Sequence, residues 1–283
     1  MAGVKEPKLT ADAPPAFFDG RQAPLVSKVN AALNITRYAL ITLACLPVQL
    51  LLRWLAPRRV WEPFVCWYHA RILAALGVQL VVLGTQARTR PTLFVANHNS
   101  YLDIEVLGAF IPGSFVAMEQ VGTWPLFGLL SRLQETVFID RRTKSIAQQH
   151  AQLTQRFDAK QNLIIFPEGS SYTGTHLLPF RSSLFAVAKH EVEGQPILIQ
   201  PVSVTFARLD GLPISRGMRT FYSWYGQTPL APHMLGTAGL GRLQVVVEWH
   251  PPKTLANFDG SRKHLTAYCE TAIKAGMARA RTR

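Results

Sequence analysis

The sequence predicts an α/β fold with a largely parallel, mixed sheet flanked by helices and preceded by an N-terminal helical membrane anchor. Short apolar runs alternate with stretches of about ten or more residues of helical periodicity, which is typical of a parallel sheet covered on both faces. Two of these runs, residues 92–96 and 162–166, end in polar clusters, which is where an open α/β sheet carries its chemistry. An apolar segment in the first third of the chain indicates the anchor.

The candidate anchor follows a segment with little periodicity. Residues 1–30 combine several prolines with charged residues, which indicates a loosely ordered arm. Residues 38–52 carry no formal charge and are bounded by an arginine at each end. A helix of that length spans about 22 Å, less than the roughly 30 Å of a bilayer core, and Pro47 should break or kink it. We therefore expect residues 31–75 to embed in a membrane without crossing it, although a short tilted span and a buried core helix also fit.

Residues 76–283 are expected to form one α/β domain. The predicted strands are short runs rich in apolar residues, and the predicted helices repeat their apolar residues every three or four positions. In chain order, the strands cover residues 78–83, 92–96, 114–118, 137–139, 163–166, 197–206, 220–224 and 243–249. The helices cover residues 63–76, 102–110, 125–133, 145–160, 182–191 and 262–280.

The chain is strongly basic, with a formal net charge of +13 at pH 7 and a pI near 10.1. Such a surplus of positive charge attracts anionic lipid headgroups, nucleic acids or acidic proteins. Neither a zinc-finger spacing nor an RNA-binding aromatic signature is present, so we do not expect nucleic acid as a partner. Together with the apolar N-terminal segment, the charge predicts an anionic membrane surface as a partner.

The segment Asn-His-Asn-Ser-Tyr-Leu-Asp at residues 97–103 contains a candidate catalytic pair. On one continuous helix, His98 and Asp103 would lie about 140° apart around the axis. They can meet only if the histidine precedes a helix and the aspartate lies in its first turn; Ser100 and Asp103 have the spacing of a capping box that would begin such a helix. The aspartate could then orient the imidazole as a general base. A hydrogen-bonded turn histidine beside an ordinary N-terminal charge is the alternative.

Three further segments follow the catalytic pair. Residues 137–141 are an apolar run that ends in Arg141, residues 166–170 read Phe-Pro-Glu-Gly-Ser, and residues 200–202 read Gln-Pro-Val. In this order, and together with residues 97–103, they resemble the four sequence blocks of the glycerolipid and lysophospholipid acyltransferase family, which includes the 1-acylglycerol-3-phosphate acyltransferases. The resemblance extends over residues 75–210.

This resemblance implies the reaction and its substrates. A fatty acyl group would pass from a thioester of acyl carrier protein or coenzyme A to the free hydroxyl of a lysolipid such as 1-acyl-sn-glycerol-3-phosphate, in phospholipid biosynthesis. The resemblance implies no resident cofactor and no metal, and it supports an N-terminal membrane anchor. We expect a bacterial-type inner membrane as the location, with the catalytic domain facing the cytoplasm.

The resemblance also implies which residues bind the acceptor. Arg141 and Glu168 correspond to acceptor-binding residues of the family, together with Gly169 and Ser170. Arg181, in the segment Leu-Pro-Phe-Arg, is a second basic candidate. A surface ion pair of Arg141 and a structural role of Glu168, as acceptor for loop amides, remain as alternatives.

The residue types also constrain the chemistry. Acyl transfer to an alcohol needs a base for the hydroxyl proton and donors for the developing oxyanion. His98, oriented by Asp103, is the expected base, and Asn97 and the backbone amides near Gly169 are the candidate oxyanion donors. Residues 169–174 lack the spacing of a G-x-S-x-G elbow and no cysteine lies in a motif, so we expect direct attack by the acceptor hydroxyl without an acyl-enzyme.

Two positions depart from the family pattern and leave the acceptor open. Glu135 stands where many phosphatidate-forming relatives have glycine, and Ser171 stands where they commonly have arginine. The missing arginine weakens the expectation of a phosphate-bearing acceptor. Residues 178–184 and 224–226 resemble the lyso-ornithine lipid acyltransferase branch, so lyso-ornithine lipid is the alternative acceptor.

Two other classes of protein remain as alternatives outside this family. A metal-dependent hydrolase could use His98, Asp103 and Glu168, but catalytic zinc sites use more nitrogen ligands and the sequence contains no H-E-x-x-H motif. A non-catalytic membrane adaptor would explain the charge and the anchor, but it would not explain the polar clusters that follow the strands.

Overall fold

The computed structural model describes residues 26–88, 91–139 and 146–282, so most of the predicted arm at residues 1–30 lies outside the described residues. In these ranges the chain forms eight α-helices, which are α1 (Lys28–Leu55), α2 (Arg58–Ala75), α3 (Leu102–Gly108), α4 (Pro125–Leu133), α5 (Ile146–Asp158), α6 (Arg216–Tyr222), α7 (Leu230–Ala238) and α8 (Arg262–Thr282). Short 3₁₀ helices cover Glu119–Thr123, Ser182–Lys189 and Leu255–Phe258.

The same ranges contain ten β-strands, which are β1 (Val78–Leu83), β2 (Thr92–Ala96), β3 (Gly113–Met118), β4 (Val137–Ile139), β5 (Asn162–Ile165), β6 (Glu191–Val192), β7 (Gln195–Pro196), β8 (Leu198–Leu209), β9 (Leu212–Pro213) and β10 (Leu243–Trp249). Strands β6 and β7 pair with each other, and the other eight form one sheet in the order β1-β10-β8-β2-β5-β3-β4, with β9 paired to β8. Along this order all neighbours are parallel except β8 and β10. The prediction of a largely parallel, mixed α/β sheet is confirmed.

Strands β2 and β5 lie side by side in parallel at the centre of the sheet. All their residues are buried, which is why both read as nearly continuous apolar runs. Phe94 faces a core that includes residues of α3, whereas Leu93 and Val95 face a second core that includes residues of α5 and α8. Because the two strands run in the same direction, the segments that follow them, which contain His98 and Glu168, meet at one edge of the sheet.

Several predicted elements differ from the structure in type. Residues 220–224, predicted as a strand, lie mostly in helix α6, which begins after Ser215; the Ser215 side chain accepts the Met218 N–H at 3.2 Å. The N-cap serine therefore favours a helix here more strongly than the aromatic residues, which have a high strand propensity, favour a strand. The predicted helix at 182–191 is a 3₁₀ helix, and α7 has no counterpart among the predicted elements because its internal proline and glycine are typical of loops.

Helix α1 is longer than the sequence predicts. It runs for 28 residues, begins after the Ser27 cap, and continues through Pro47 without the expected break. At 1.5 Å per residue it is about 42 Å long, so the predicted length of about 22 Å is too short. Among the described helices it is the one that is long and apolar enough to cross a membrane.

One face of α1 packs inward and the other is exposed. The helix contacts α2 and α7, and its buried residues recur along the inner face at Ala31, Tyr38, Thr42, Cys45 and Gln49. Thr42 Oγ1 also lies 2.9 Å from Tyr68 Oη of α2. The opposite side, called here the outer face of α1, exposes large apolar side chains, namely Leu33, Leu40, Leu43, Leu51 and Trp54. The helix is therefore held against the domain along its length while it presents an apolar surface.

Glu135 connects the N-terminal helices to the sheet domain. Its carboxylate forms ion pairs with Arg53 of α1 at 3.1 Å, with Arg156 of α5 at 3.0 Å, and with Arg58 of α2. The φ angle of Glu135 is 58°, in the left-handed region that favours glycine. Glu135, at the position where many relatives have glycine, thus places a carboxylate among three arginines. These ion pairs offset a backbone strain of roughly 1–2 kcal/mol.

Candidate active site

The turn between β2 and α3 holds His98 and Asp103 together. His98 follows the last residue of β2 by two positions, and Asp103 is the second residue of α3. The His98 Nδ1 atom lies 2.9 Å from Asp103 Oδ2. The histidine thus precedes the helix and the aspartate lies in its first turn, which is the arrangement that the spacing predicts.

The Asp103 carboxylate is fully buried and is held by nearby N–H groups. Besides the imidazole, Oδ2 accepts the backbone N–H groups of Asn99 at 2.5 Å and Ser100 at 2.8 Å. The predicted capping box forms only in part, because Ser100 Oγ has no partner among the described residues and Tyr101 is the N-cap residue. The backbone therefore fixes the carboxylate, and the carboxylate fixes the imidazole.

The imidazole of His98 has one defined orientation. An ionised carboxylate can only accept, so we assign the hydrogen to Nδ1, which leaves a lone pair on Nε2. The Phe166 ring stacks on the imidazole with ring centroids 4.1 Å apart, and the Tyr172 N–H donates to the His98 carbonyl at 3.1 Å. The histidine side chain is 20% exposed and lines a cavity, so Nε2 is available to take a proton.

Glu168 holds two loops of the site through backbone amides. One carboxylate oxygen accepts the His98 N–H at 2.7 Å and the other accepts the Leu178 N–H at 2.8 Å. The side chain is buried, and burial raises the pKa of this carboxyl to about 8, although the two N–H groups act in the opposite direction. This geometry corresponds to the structural alternative, in which Glu168 is the acceptor for loop amides.

Replacing Glu168 by glutamine should lower kcat more than it changes the acceptor KM. Glutamine has only one accepting oxygen, so one of the two backbone N–H groups would lose its acceptor and His98 would be held less firmly. We expect the free energy of unfolding to fall by about 1–3 kcal/mol. Steady-state kinetics and thermal melts measure both effects. A raised acceptor KM with an unchanged melting temperature would instead place Glu168 against the acceptor.

The pH dependence of stability tests the protonation of Glu168. The pKa of about 8 in the folded protein lies above the ordinary value of 4.5. The contribution of this carboxyl to stability is therefore complete below pH 4.5 and is lost as the pH rises through about 8. The melting temperature of the wild-type protein should fall relative to that of Glu168→Gln between pH 5 and pH 9. Parallel curves would show that Glu168 does not titrate in this range.

Asn97 does not have the geometry expected of an oxyanion donor. Its Nδ2 donates to the Val204 carbonyl and its Oδ1 accepts the Val204 N–H, both at 2.8 Å, and the side chain is fully buried. The amide therefore fastens the end of β2 to β8, and it is not among the described residues that line the cavity. The expectation that Asn97 stabilises the oxyanion is corrected for this reason.

The loop after β5 offers other donors. The Gly169 N–H donates to the Phe166 carbonyl at 3.0 Å, which turns the chain at a φ of 74°. The backbone N–H groups of Ser170 and Ser171 have no acceptor in the part of the chain that the structure describes, and both residues line the cavity beside His98. These two amides are the better candidates for oxyanion donors.

Of the two candidate arginines, the structure describes only Arg181. Arg141 lies outside the described residues. Arg181 is exposed, its backbone N–H donates to the Pro167 carbonyl at 3.0 Å, and it does not belong to the described residues that line the cavity. The expected contact between Arg181 and the acceptor has no support in this arrangement.

A cavity of about 380 Å³ extends from His98 into the domain. Most of its wall is apolar or aromatic and comes from several helices, strands and loops; it includes Phe115, Trp124, Phe127, Trp224, Met234 and Leu243. Ile35 and Tyr38 of α1 also form part of the wall. Glu105 is a charged member of the lining, and it is paired with His69 Nδ1 at 2.7 Å. The candidate catalytic pair therefore borders a space that suits an apolar chain.

Sequence reasoning missed several residues of this wall. Tyr101 Oη lies 3.1 Å from His233 Nδ1 and 2.9 Å from Thr237 Oγ1, so α7 closes one side of the cavity. The backbone N–H of Trp224 donates to the Asn99 carbonyl at 3.0 Å. The sequence of residues 224–226 indicates a resemblance to the lyso-ornithine lipid acyltransferase branch. Their contact with the turn between β2 and α3, however, depends on the fold and could not be predicted.

Comparisons with known proteins agree with these observations. A family model described as Acyltransferase matches residues 79–205, a range that includes all four sequence blocks. The chain is 36% identical over 231 residues to a lyso-ornithine lipid O-acyltransferase from Rhizobium meliloti, covering 80% of this chain and 78% of the relative. It is 33% identical over 283 residues to a lyso-ornithine lipid O-acyltransferase from Rhodobacter capsulatus, covering 97% of this chain and 98% of the relative.

The fold is also similar to a solved structure. The crystal structure of the 1-acyl-sn-glycerophosphate acyltransferase PlsC from Thermotoga maritima matches with a TM-score of 0.66 and 22% identity, over 90% of this chain and 98% of that chain. At this identity the likeness shows a shared fold. The two sequence relatives are matched over more than two thirds of their own length. The chain therefore belongs to the lysophospholipid and lyso-ornithine lipid acyltransferase family, and it is an acyltransferase.

Proposed function

We propose that this acyltransferase moves a fatty acyl group from a thioester of acyl carrier protein or coenzyme A to the free hydroxyl of lyso-ornithine lipid. The observation that carries the proposal is the His98 imidazole, which is held by Asp103 at 2.9 Å in the wall of an apolar cavity. An apolar cavity suits the acyl chain of the donor, and an oriented imidazole suits the deprotonation of a hydroxyl.

The proposed reaction uses the two substrates, the side chains of His98 and Asp103, and backbone amides of the loop after β5. Nε2 of His98 takes the proton of the acceptor hydroxyl as the hydroxyl oxygen attacks the thioester carbonyl carbon. The carbonyl oxygen becomes an oxyanion, for which the Ser170 and Ser171 amides are the proposed donors. The carbon–sulfur bond then breaks, the imidazolium returns its proton to the departing sulfur, and the ester and the free thiol leave. Asp103 stabilises the imidazolium that forms between the two steps.

The choice of acceptor rests on the relatives and on residue 171. The relatives from Rhizobium meliloti and Rhodobacter capsulatus are both named lyso-ornithine lipid O-acyltransferases. Ser171 replaces an arginine that is common in phosphatidate-forming members of the family. Lysophosphatidate is the second candidate, because the Thermotoga maritima protein of similar fold is named a 1-acyl-sn-glycerophosphate acyltransferase.

The outer face of α1 supports a membrane-associated enzyme. Its leucines and Trp54 are exposed to solvent, which would be unfavourable unless a lipid surface covers them. Since the inner face is packed against α2 and α7, we propose that residues 31–75 embed in an anionic membrane surface without crossing it, with residues 76–283 as the acyltransferase domain. For an enzyme that uses acyl carrier protein, the proposed location is the cytoplasmic face of a bacterial-type inner membrane.

A panel of acceptors tests the proposed function. Purified protein would receive an acyl carrier protein or coenzyme A thioester with lyso-ornithine lipid, lysophosphatidate or a zwitterionic lysophospholipid. We expect ester formation with lyso-ornithine lipid at a kcat/KM about tenfold or more above that for lysophosphatidate. A higher kcat/KM for lysophosphatidate would make the second candidate correct. Absence of ester from every donor and acceptor pair would contradict the proposed function.

A further inference from the structure

Three aromatic side chains lie together in the wall of the cavity that His98 borders. Tyr101, Trp124 and Trp224 all line this cavity. The centroids of the two indole rings are 5.6 Å apart, and the ring planes meet at 85°. The Tyr101 ring lies 6.4 Å from the Trp224 ring, with an angle of 59° between the planes. These three residues form an angled aromatic surface and are called the aromatic corner below.

The aromatic corner is attached to the turn that carries His98. The backbone N–H of Trp224 donates to the carbonyl of Asn99 at 3.0 Å, and Asn99 is the residue that follows His98. Tyr101 is three positions after His98 and is the N-cap residue of α3. Because His98 and the three rings line one cavity, a substrate that reacts at His98 has a neighbouring part within reach of the aromatic corner.

Hydrogen bonds fix the polar ends of two of these side chains. The indole N–H of Trp224 donates to the Thr228 carbonyl at 2.8 Å. The Tyr101 hydroxyl lies 3.1 Å from His233 Nδ1 and 2.9 Å from Thr237 Oγ1, so it contacts α7. Since the protein already holds the polar atoms, the aromatic rings are what these residues offer to a ligand. A surface that is fixed in advance also loses little side-chain entropy when a ligand binds.

The electrostatics of the aromatic corner favour a cation. The face of an aromatic ring carries partial negative charge, and indole attracts ammonium groups most strongly. The described arginines that stack on tryptophan contact Trp61 and Trp67 of α2, so none of them stacks on the corner. Among the described residues that line the cavity there is neither lysine nor arginine. This wall therefore suits a cationic group of a ligand better than a phosphate.

We propose that the aromatic corner binds the protonated amino group of the acceptor headgroup through cation–π contacts and so selects lyso-ornithine lipid over lysophosphatidate. This inference rests on the proposed function and adds the residues that determine the acceptor. The ornithine side chain ends in a primary amine, which is protonated at neutral pH as in lysine. Two indoles at nearly a right angle can contact one ammonium group from two sides. Lysophosphatidate carries no cation, and the ring faces repel its phosphate.

The test compares lyso-ornithine lipid with an analogue whose side-chain amine is acetylated and therefore neutral. The wild-type protein should have an acceptor KM about tenfold higher for the acetylated analogue. Trp124→Leu and Trp224→Leu keep apolar surface but remove a ring, so each should lower this ratio to about threefold, and the double variant should bring it close to one. Trp224→Phe should retain more of the ratio than Trp224→Leu, because phenylalanine keeps a π face.

Phe258→Leu is the matched control for the loss of an aromatic ring. Phe258 packs against Tyr268 with ring centroids 5.4 Å apart, and it is not among the described residues that line the cavity. This variant should keep the wild-type ratio of KM values. A ratio near one in the wild-type protein would overturn the proposal, and this measurement does not depend on whether any variant folds. An unchanged ratio in a folded double variant would also overturn it, since the rings would then be only part of the apolar wall.

A probe that cannot react keeps this inference separate from the proposed function. A short-chain N-acyl ornithine without a hydroxyl on its acyl chain carries the amine but has no hydroxyl to receive an acyl group. It should raise the melting temperature of the wild-type protein more than its side-chain-acetylated counterpart does, and the double variant should abolish this difference. Equal shifts from the two probes in the wild-type protein would overturn the aromatic corner as a cation site. Absence of acyl transfer to lyso-ornithine lipid, with the difference between the probes preserved, would contradict the proposed reaction and leave the cation site standing.

Discussion

Replacing His98 by alanine should lower the turnover number by roughly 10²–10⁴-fold, because the variant lacks the proposed base for the hydroxyl proton. The fold should persist. The histidine side chain is partly exposed, and the backbone N–H that Glu168 accepts is present in any residue at this position. Steady-state kinetics with a saturating acyl thioester measure the effect, and circular dichroism with a thermal melt checks the fold.

Asp103→Asn is the companion variant for this prediction. Asparagine keeps one oxygen for the Asn99 and Ser100 amides, but it no longer stabilises the imidazolium. We expect a loss of turnover smaller than that of His98→Ala, together with a lower melting temperature because Asp103 is fully buried. Turnover close to the wild-type value in a folded His98→Ala protein would rule out His98 as the base.

Replacing three leucines on the outer face of α1 should release most of the protein from membranes. Leu40, Leu43 and Leu51 are exposed, and glutamine at these positions preserves helix propensity while it removes apolar surface. Each leucine that leaves a lipid phase for water contributes about 1.5 kcal/mol, so the triple variant should lose about 4.5 kcal/mol of binding free energy, or roughly two-thousandfold in partition. Flotation with anionic vesicles measures the bound fraction.

The control for the membrane prediction is an exposed leucine elsewhere. Leu212 on β9 is 72% exposed, and Leu212→Gln should not alter vesicle binding. Any residual binding of the triple variant should weaken as salt rises, because the basic surface still attracts anionic headgroups. Salt-resistant binding by the triple variant, at the wild-type level, would place the membrane contact on another surface.

Features that depend on neighbours in the chain could be predicted, whereas those that depend on distant contacts could not. The geometry of His98 and Asp103 follows from their spacing, since only one position of the helix start lets them meet. Asn97, in contrast, bonds to Val204, which is 107 positions away, so its structural role had no local signal. The sequence around Glu135 likewise does not indicate its three arginine partners, which come from α1, α2 and α5.

The lining of the cavity could not be predicted from the sequence for the same reason. Apolar runs in the sequence identify buried strands, but they do not reveal which side chains border an open space. Some lining residues come from α1, which the sequence predicts as part of a separate segment; these are Ile35 and Tyr38. Others come from α6 and α7, which the sequence does not predict as helices; these are Tyr222 and Met234. The wall therefore crosses the predicted boundary near residue 75, because the packing of α1 on α2 and α7 is a tertiary contact.

A single-turnover reaction with an isotopically labelled acyl thioester separates direct transfer by the His98–Asp103 pair from any covalent route. Direct attack predicts that free thiol appears only when lysolipid is present. Labelled ester should then form at the same rate as the thiol, the protein should carry no label, and His98→Ala should abolish both signals in the time of a wild-type turnover. A burst of thiol with labelled protein in the absence of lysolipid, or equally fast ester formation by His98→Ala, would contradict this mechanism.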